Sequence, residues 1–230
     1  MDIITVHHLK KYFGTGCSQV KAIDGVSLSV EKGKFTAITG ASGSGKTTLL
    51  HLMGGLHKPD GGTVVVDGTD LAKLTEEQLT IFRRRKVGFV FQDNNLIPEL
   101  TVRENILFPL ALDDCLPDKF FFREVAAIMG LKDKLNNFPH MLSGGGQQCT
   151  AIARALITKP AIILADEPTG SFDIKTSQNV AGLLKMTAER FRQTLVMITH
   201  NLELAQLADH VVCLQDGRIQ NRSLPKGTKL

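Results

Sequence analysis

One short stretch constrains this chain more than any other. Gly40-Ala41-Ser42-Gly43-Ser44-Gly45-Lys46-Thr47-Thr48 follows the β-rich run Phe35-Thr36-Ala37-Ile38-Thr39 and leads into Leu49-Leu50-His51-Leu52-Met53, which reads as a helix. The spacing G-x-x-x-x-G-K-[ST] between a strand and a helix is that of a phosphate-binding loop. Its glycines let backbone N–H groups turn inward around phosphate oxygens. The helix N-terminus behind them adds a partial positive charge. Lys46 is expected to reach the β- and γ-phosphates, and the Thr47 hydroxyl to ligate Mg²⁺.

Two more apolar runs, Ala161-Ile162-Ile163-Leu164-Ala165 and Leu195-Val196-Met197-Ile198-Thr199, are continuous. Strands buried on both faces read this way, and their alternation with helical patterns predicts an α/β fold with a largely parallel sheet. Polar residues begin where each run ends: the loop at Gly40, then Asp166-Glu167, then His200. In open α/β sheets that carboxyl edge is where ligands bind. Asp166 is expected to hold Mg²⁺ and Glu167 to act as general base for an attacking water. An acidic pair at a strand end is ordinarily a solvated edge; the phosphate loop gives this one its meaning.

Residues 1–30, with Thr63-Val64-Val65-Val66 and Asp67-Gly68, read as short antiparallel strands and turns. Residues from about 100 to 141 read as mostly helical, punctuated by Pro98, Pro109, Pro117 and Pro139, and form a helical lobe inserted into the core. The tail from Asn221 is polar and expected to fray. The 27 basic and 23 acidic residues give a net charge of +4, too small to argue for nucleic acid. The basic cluster Arg83-Arg84-Arg85-Lys86 reads as a solvated helix face. No apolar run approaches the roughly 18 residues of a membrane-spanning helix, and Met1-Asp2-Ile3-Ile4 lacks the order of a secretory signal. Cys17, Cys115, Cys149 and Cys213 are scattered, which points to reduced thiols in place of disulfides or zinc.

A second distinctive stretch is Leu142-Ser143-Gly144-Gly145-Gly146-Gln147-Gln148, followed by Ala151-Ile152-Ala153-Arg154-Ala155-Leu156. Here the chain resembles the ATP-binding cassette (ABC) family, whose signature is L-S-G-G-Q. The order of motifs agrees: the phosphate loop, Gln92 after Gly88-Phe89-Val90-Phe91, the signature, Asp166-Glu167-Pro168-Thr169-Gly170, Ser171-Phe172-Asp173, and His200. The resemblance covers nearly the whole chain. It implies a single ATPase domain over 1–230, with a RecA-like core at 1–92 and about 155–230, an antiparallel β subdomain, and an inserted α-helical subdomain at about 93–154.

The resemblance also implies roles. Two cassettes would pair head to tail as a homodimer, each phosphate loop facing the other copy's signature across ATP. Ser143, Gly144 and Gly145 would then contact ATP held by the partner. Gln92 would sense Mg²⁺ and the attacking water, His200 would contact the γ-phosphate and hold Glu167, and Asp173 would lie at the dimer seam. Phe13, placed better than Tyr12 when counted back from Lys21-Ala22-Ile23, would stack on adenine. ATP and Mg²⁺ are the expected cofactors. A membrane permease on another chain would dock near the helical lobe and Gln92, so the protein would work at the cytoplasmic face of the membrane without entering it.

The chain departs from the family at Gly146, usually Gln, at Cys149, usually Arg, and at Phe172, usually Leu. The hydrolytic residues are intact, so the expectation is a working ATPase with a loosened trans half and slow turnover. The segment from Phe91 to Ile106, with Glu167-Pro168-Thr169-Gly170, resembles the exporter subfamily for lipoproteins, macrolides and antimicrobial peptides. Two other readings stay open: a cell-division-type switch that moves no solute, and a soluble cassette acting on DNA or ribosomes. Nucleic acid is not the expected partner.

Overall fold

The computed structural model describes residues 1–170 and 172–220, without the side chain of Cys17. Ser171 and the tail from Asn221 lie outside the described residues. The chain opens on two antiparallel strands, β1 (Asp2–Phe13) and β2 (Val20–Glu31). At 12 residues each they are not the short strands expected. Register shifts between them, and a positive φ of 45° at His8, let pairing continue where the sequence alternation breaks. β3 (Phe35–Thr39) leads through the glycine-rich loop into α1 (Lys46–Met53). β4 (Gly61–Val66) and β5 (Thr69–Asp70) complete a four-stranded antiparallel sheet in the order β2-β1-β4-β5.

α2 (Glu76–Lys86) and β6 (Val87–Val90) return to a second sheet. Three helices follow: α3 (Val102–Ala111), α4 (Lys119–Ile128) and α5 (Gly144–Leu156). Thr101 caps α3 reciprocally with Glu104. Pro109 is not a break but sits inside α3, near its end. The capping box and the buried Val102 and Ile106 anchor the turns before it. The chain then runs through β7 (Ile162–Asp166), α6 (Ile174–Phe191), β8 (Thr194–Ile198), the short α7 (Leu202–Ala205), β9 (His210–Gln215) and β10 (Arg218–Gln220).

The second sheet has the order β10-β9-β3-β8-β7-β6 and is parallel except for the β9–β10 hairpin. Its central strands are buried on both faces, which is why they read as unbroken apolar runs. Alternate residues serve two clusters. Ile163, Ala165, Leu195 and Met197 pack with α3, α4, α5 and α6, whereas Ile162, Leu164, Val196 and Ile198 pack with α1 and the antiparallel sheet. The first cluster runs without a gap from α3 and α4 through Ile152 and Leu156 of α5 onto the sheet.

The basic cluster at the end of α2 is held by specific partners. Arg84 and Arg85 both pair with Asp113 beyond α3, Lys86 pairs with Asp67, and Arg83 donates to the Gly55 carbonyl. Among the described residues Cys115, Cys149 and Cys213 are free thiols, and no helix is long and apolar enough to cross a membrane.

Candidate active site

Strand register brings the motifs together. Ile38 pairs with Ile198, Ile198 with Asp166, and Ala165 with Val90, so β3, β8, β7 and β6 end side by side. The phosphate loop, His200, the Asp166-Glu167 pair and Gln92 therefore emerge at one edge.

The loop between β3 and α1 packs too closely for side chains at two positions. A Cβ on Gly40 would overlap the Leu214 carbonyl, and one on Gly45, whose φ is 99°, would overlap the Ala22 carbonyl. Lys46 is buried, and its ammonium donates to the carbonyls of Gly40 (3.0 Å) and Ala41 (2.8 Å). The Ser44 hydroxyl is also buried, with no partner among the described residues. A buried cation, an unpaired hydroxyl and the start of α1 together suit a multiply charged phosphate group.

The loop opens on a cavity of about 420 Å³. Of the residues singled out in the sequence, Ser42, Gly43, Gly45, Lys46, Thr47, Thr48 and Glu167 line it. Gly40, Ala41 and Ser44 shape the loop from behind. Phe13 is not in the lining; its cross-strand partner Val20 is. The Phe13 ring is 41% exposed and stands edge-on to His57. Sequence reasoning missed Lys21 and the Asp216-Gly217 turn, which also line the cavity. The Asp-Gly pair was a usable signal, being a hairpin turn; Lys21 carried none.

Asp166 is half-buried, and burial pushes its carboxyl up from the ordinary value, against the lowering effect of a hydrogen bond from Thr47. The Thr47 hydroxyl donates to Asp166 Oδ1 at 3.2 Å. Among the described residues no three His, Cys, Asp or Glu side chains cluster as a closed metal site. One hydroxyl and one carboxylate beside a phosphate cradle instead suit Mg²⁺, which is held by few protein ligands and by substrate phosphates.

Glu167 has a φ of 41°, unusual for a residue with a side chain. Its backbone is tied on both sides, donating to the Ile198 carbonyl (3.1 Å) and accepting from Gly170 N–H (3.0 Å). The carboxylate Oε2 lies 2.9 Å from His200 Nδ1. A Cβ on Gly170 would lie 3.2 Å from Gln92 Nε2 and 3.3 Å from Glu167 Oε2, so Gln92 and Glu167 share one small space. His200, Glu167 and Gln92 thus converge.

Ser143, Gly144 and Gly145 stand apart from the cavity and line none of it. Ser143 caps α5, accepting from Gly146 N–H at 3.3 Å. Asp173 caps α6, accepting from Thr176 N–H at 3.0 Å, and is likewise outside the lining. Phe172, a departure from the family, lies against Gly144: a Cβ there would be 3.1 Å from its ring. Cys149 is buried, and burial pushes its thiol up. α5 also grips the backbone on both sides of Gln92. Gln148 Nε2 donates to the Phe91 carbonyl (3.1 Å), and Arg154 donates to the carbonyls of Asn94 (2.9 Å) and Asn95 (2.6 Å). Beside this grip lies an open groove of about 560 Å³, lined by Phe89, Phe91, Phe108 and Leu112 with Arg83, Arg84 and Arg154.

Comparison with known proteins agrees with this arrangement. The ABC transporter family matches residues 23–170. The bacitracin export ATP-binding protein BceA of Halalkalibacterium halodurans is 39% identical over 230 residues, spanning 99% of this chain and 90% of that protein. The lipoprotein-releasing system ATP-binding protein LolD of Bacteroides thetaiotaomicron is 40% identical, over 95% of this chain and 99% of its own length. Among solved structures, the dimeric post-hydrolysis state of the ATP-binding cassette MJ0796 bound to ADP and Pi superposes with a TM-score of 0.86 at 36% identity, over 98% of this chain and 100% of that one.

Proposed function

This chain belongs to the ABC transporter family, and we propose that within it the protein drives an exporter whose permease is a separate membrane protein. It is an ATP-binding and ATP-hydrolysing subunit. One observation carries the catalytic reading: four strand ends in register set Lys46, His200, Asp166-Glu167 and Gln92 in a single row.

Lys46 and the loop amides hold the β- and γ-phosphates. Thr47 and Asp166, with Gln92, would hold Mg²⁺, which neutralises phosphate charge when bound. Glu167 accepts a proton from the attacking water, and His200, in contact with its Oε2, holds the carboxylate in position. Gln92 orients the same water. Phe13 stacks on adenine at the cavity rim. Ser143, Gly144 and Gly145 act on ATP bound to a second copy, a reading supported by their absence from the lining of this chain's own cavity. Asp173 lies at the seam between the copies. The dimeric form of the MJ0796 cassette supports a pair of this kind.

The permease docks in the groove between α2 and α3, where Phe91 leads directly to Gln92. The protein is therefore peripheral, on the cytoplasmic face of the membrane, with the helices at about 93–154 as the lobe that moves against the core. The bacitracin-export name of one relative, and the lipoprotein-releasing name of the other, support the direction of transport.

The decisive experiment is Glu167→Gln. ATP should still bind, hydrolysis should fall about 10²–10⁴-fold, and a closed dimer should accumulate with ATP, measured by light scattering. Wild-type turnover would remove Glu167 from the catalytic role.

A further inference from the structure

A row of aromatic rings runs from Phe13, whose strand partner Val20 lines the nucleotide cavity, to the apolar groove. Phe13 stands edge-on to His57 at 6.0 Å between centroids, His57 to His51 at 5.3 Å, and His51 to Phe91 at 6.5 Å. Phe91 stacks on Phe89 at 5.4 Å with planes 7° apart, and both line the groove. These separations are those of rings in direct contact.

His51 sits at the middle of the row. It lies on α1 four residues after Thr47, so the two side chains share one helix face. Thr47 meets Asp166. The His51 carbonyl accepts from Leu56 N–H (2.8 Å) and His57 N–H (3.4 Å), which folds the turn after α1 back and seats His57 against the His51 ring. On the other side Phe91 immediately precedes Gln92, and Gln148 holds its carbonyl. The His51 ring is therefore a wall for Phe91, while Phe91 carries the backbone that aims Gln92.

We propose that His51 is a positioning residue for ATP hydrolysis, its ring setting Phe91, and so Gln92, relative to Glu167 and the Asp166 side of the site. This rests on the roles of Gln92, Asp166 and Glu167 proposed above. His51 touches no reacting atom. Its removal leaves a gap between α1 and Phe91, and the ring that moves into that gap takes Gln92 with it. Misplacement by about 1 Å at a reacting centre costs on the order of a hundredfold in rate.

The test is steady-state ATPase of the purified chain. His51→Ala should lower kcat about tenfold or more, with KM for ATP within about twofold of wild type. His51→Phe keeps a ring in the same place and should restore most of kcat. Unchanged kcat in His51→Ala, a rise in KM that accounts for the whole loss, or no rescue by His51→Phe would each overturn the proposal. If His51→Ala does not fold, His57→Ala takes its place: His57 is exposed, and its loss should lower kcat at least about twofold, whereas wild-type kcat sinks the idea. Glu167→Gln in the same assay separates the two readings. If it keeps full turnover, the catalytic reading itself fails; if it is inactive while His51→Ala is normal, only the role of His51 falls.

Discussion

The first turn of α5 carries three consecutive glycines, and they are not equivalent. A Cβ on Gly144 would lie 3.1 Å from the Phe172 ring, and one on Gly145 would lie 3.1 Å from Thr176 Cγ2. At Gly146 the nearest atoms are Leu142 Cβ and Ser143 Oγ, both at 3.4 Å, which is ordinary contact. Replacing glycine by alanine at a compatible helical position removes unfolded-state freedom worth about 0.5–1 kcal/mol. Gly146 is in the first turn, so the lower figure applies. For a chain of this length about 0.5 kcal/mol raises the midpoint by about 1–2 °C. Gly146→Ala should show that rise in thermal unfolding followed by circular dichroism. Gly144→Ala should show none, or a fall, because the Phe172 ring must shift to admit the methyl. Equal stabilisation by both, or a fall for Gly146→Ala, would refute the packing argument. Since the position has room, Gly146→Gln should fold and speed both ATPase turnover and ATP-driven dimerisation, undoing the loosened trans half expected from the sequence. No change in either removes that expectation.

Two further outcomes follow from the geometry. Phe13→Ala should weaken ATP binding by about 1–3 kcal/mol, measured by calorimetry, while unchanged affinity would rule out adenine stacking at Phe13. Asp113 is held below the usual carboxylate range, first by its hydrogen bond from Arg85 and then by the charge of Arg84. A depressed carboxyl stabilises the fold above its unfolded pKa and loses that contribution as pH falls through the folded value. The midpoint gap between wild type and Asp113→Asn should therefore be present at neutral pH and begin to narrow as pH falls below about 4, closing as the folded-state carboxyl takes up its proton; a gap that does not narrow in acid contradicts the pairing.

What the sequence alone determined is local. Gly40 to Thr48, Asp166-Glu167 and His200 were legible because a motif of this kind is written in consecutive residues at the end of an apolar run. The fold class followed from the continuous apolar runs, since only strands covered on both faces need them. The 12-residue reach of β1 and β2 was not legible, because register shifts interrupt the alternation that marks a strand.

Only the tertiary structure decided which strand ends stand side by side. The order β3-β8-β7-β6 joins segments far apart in sequence, and no residue in one names its neighbour in another. Lys21 reaches the cavity, Asp113 binds Arg84 and Arg85, and Phe172 covers Gly144 for that reason alone. The phosphate loop specifies its own shape through its glycines, but the surroundings that make it a site come from burying both faces of one sheet. That burial is a property of the whole chain and is encoded in no single stretch of it.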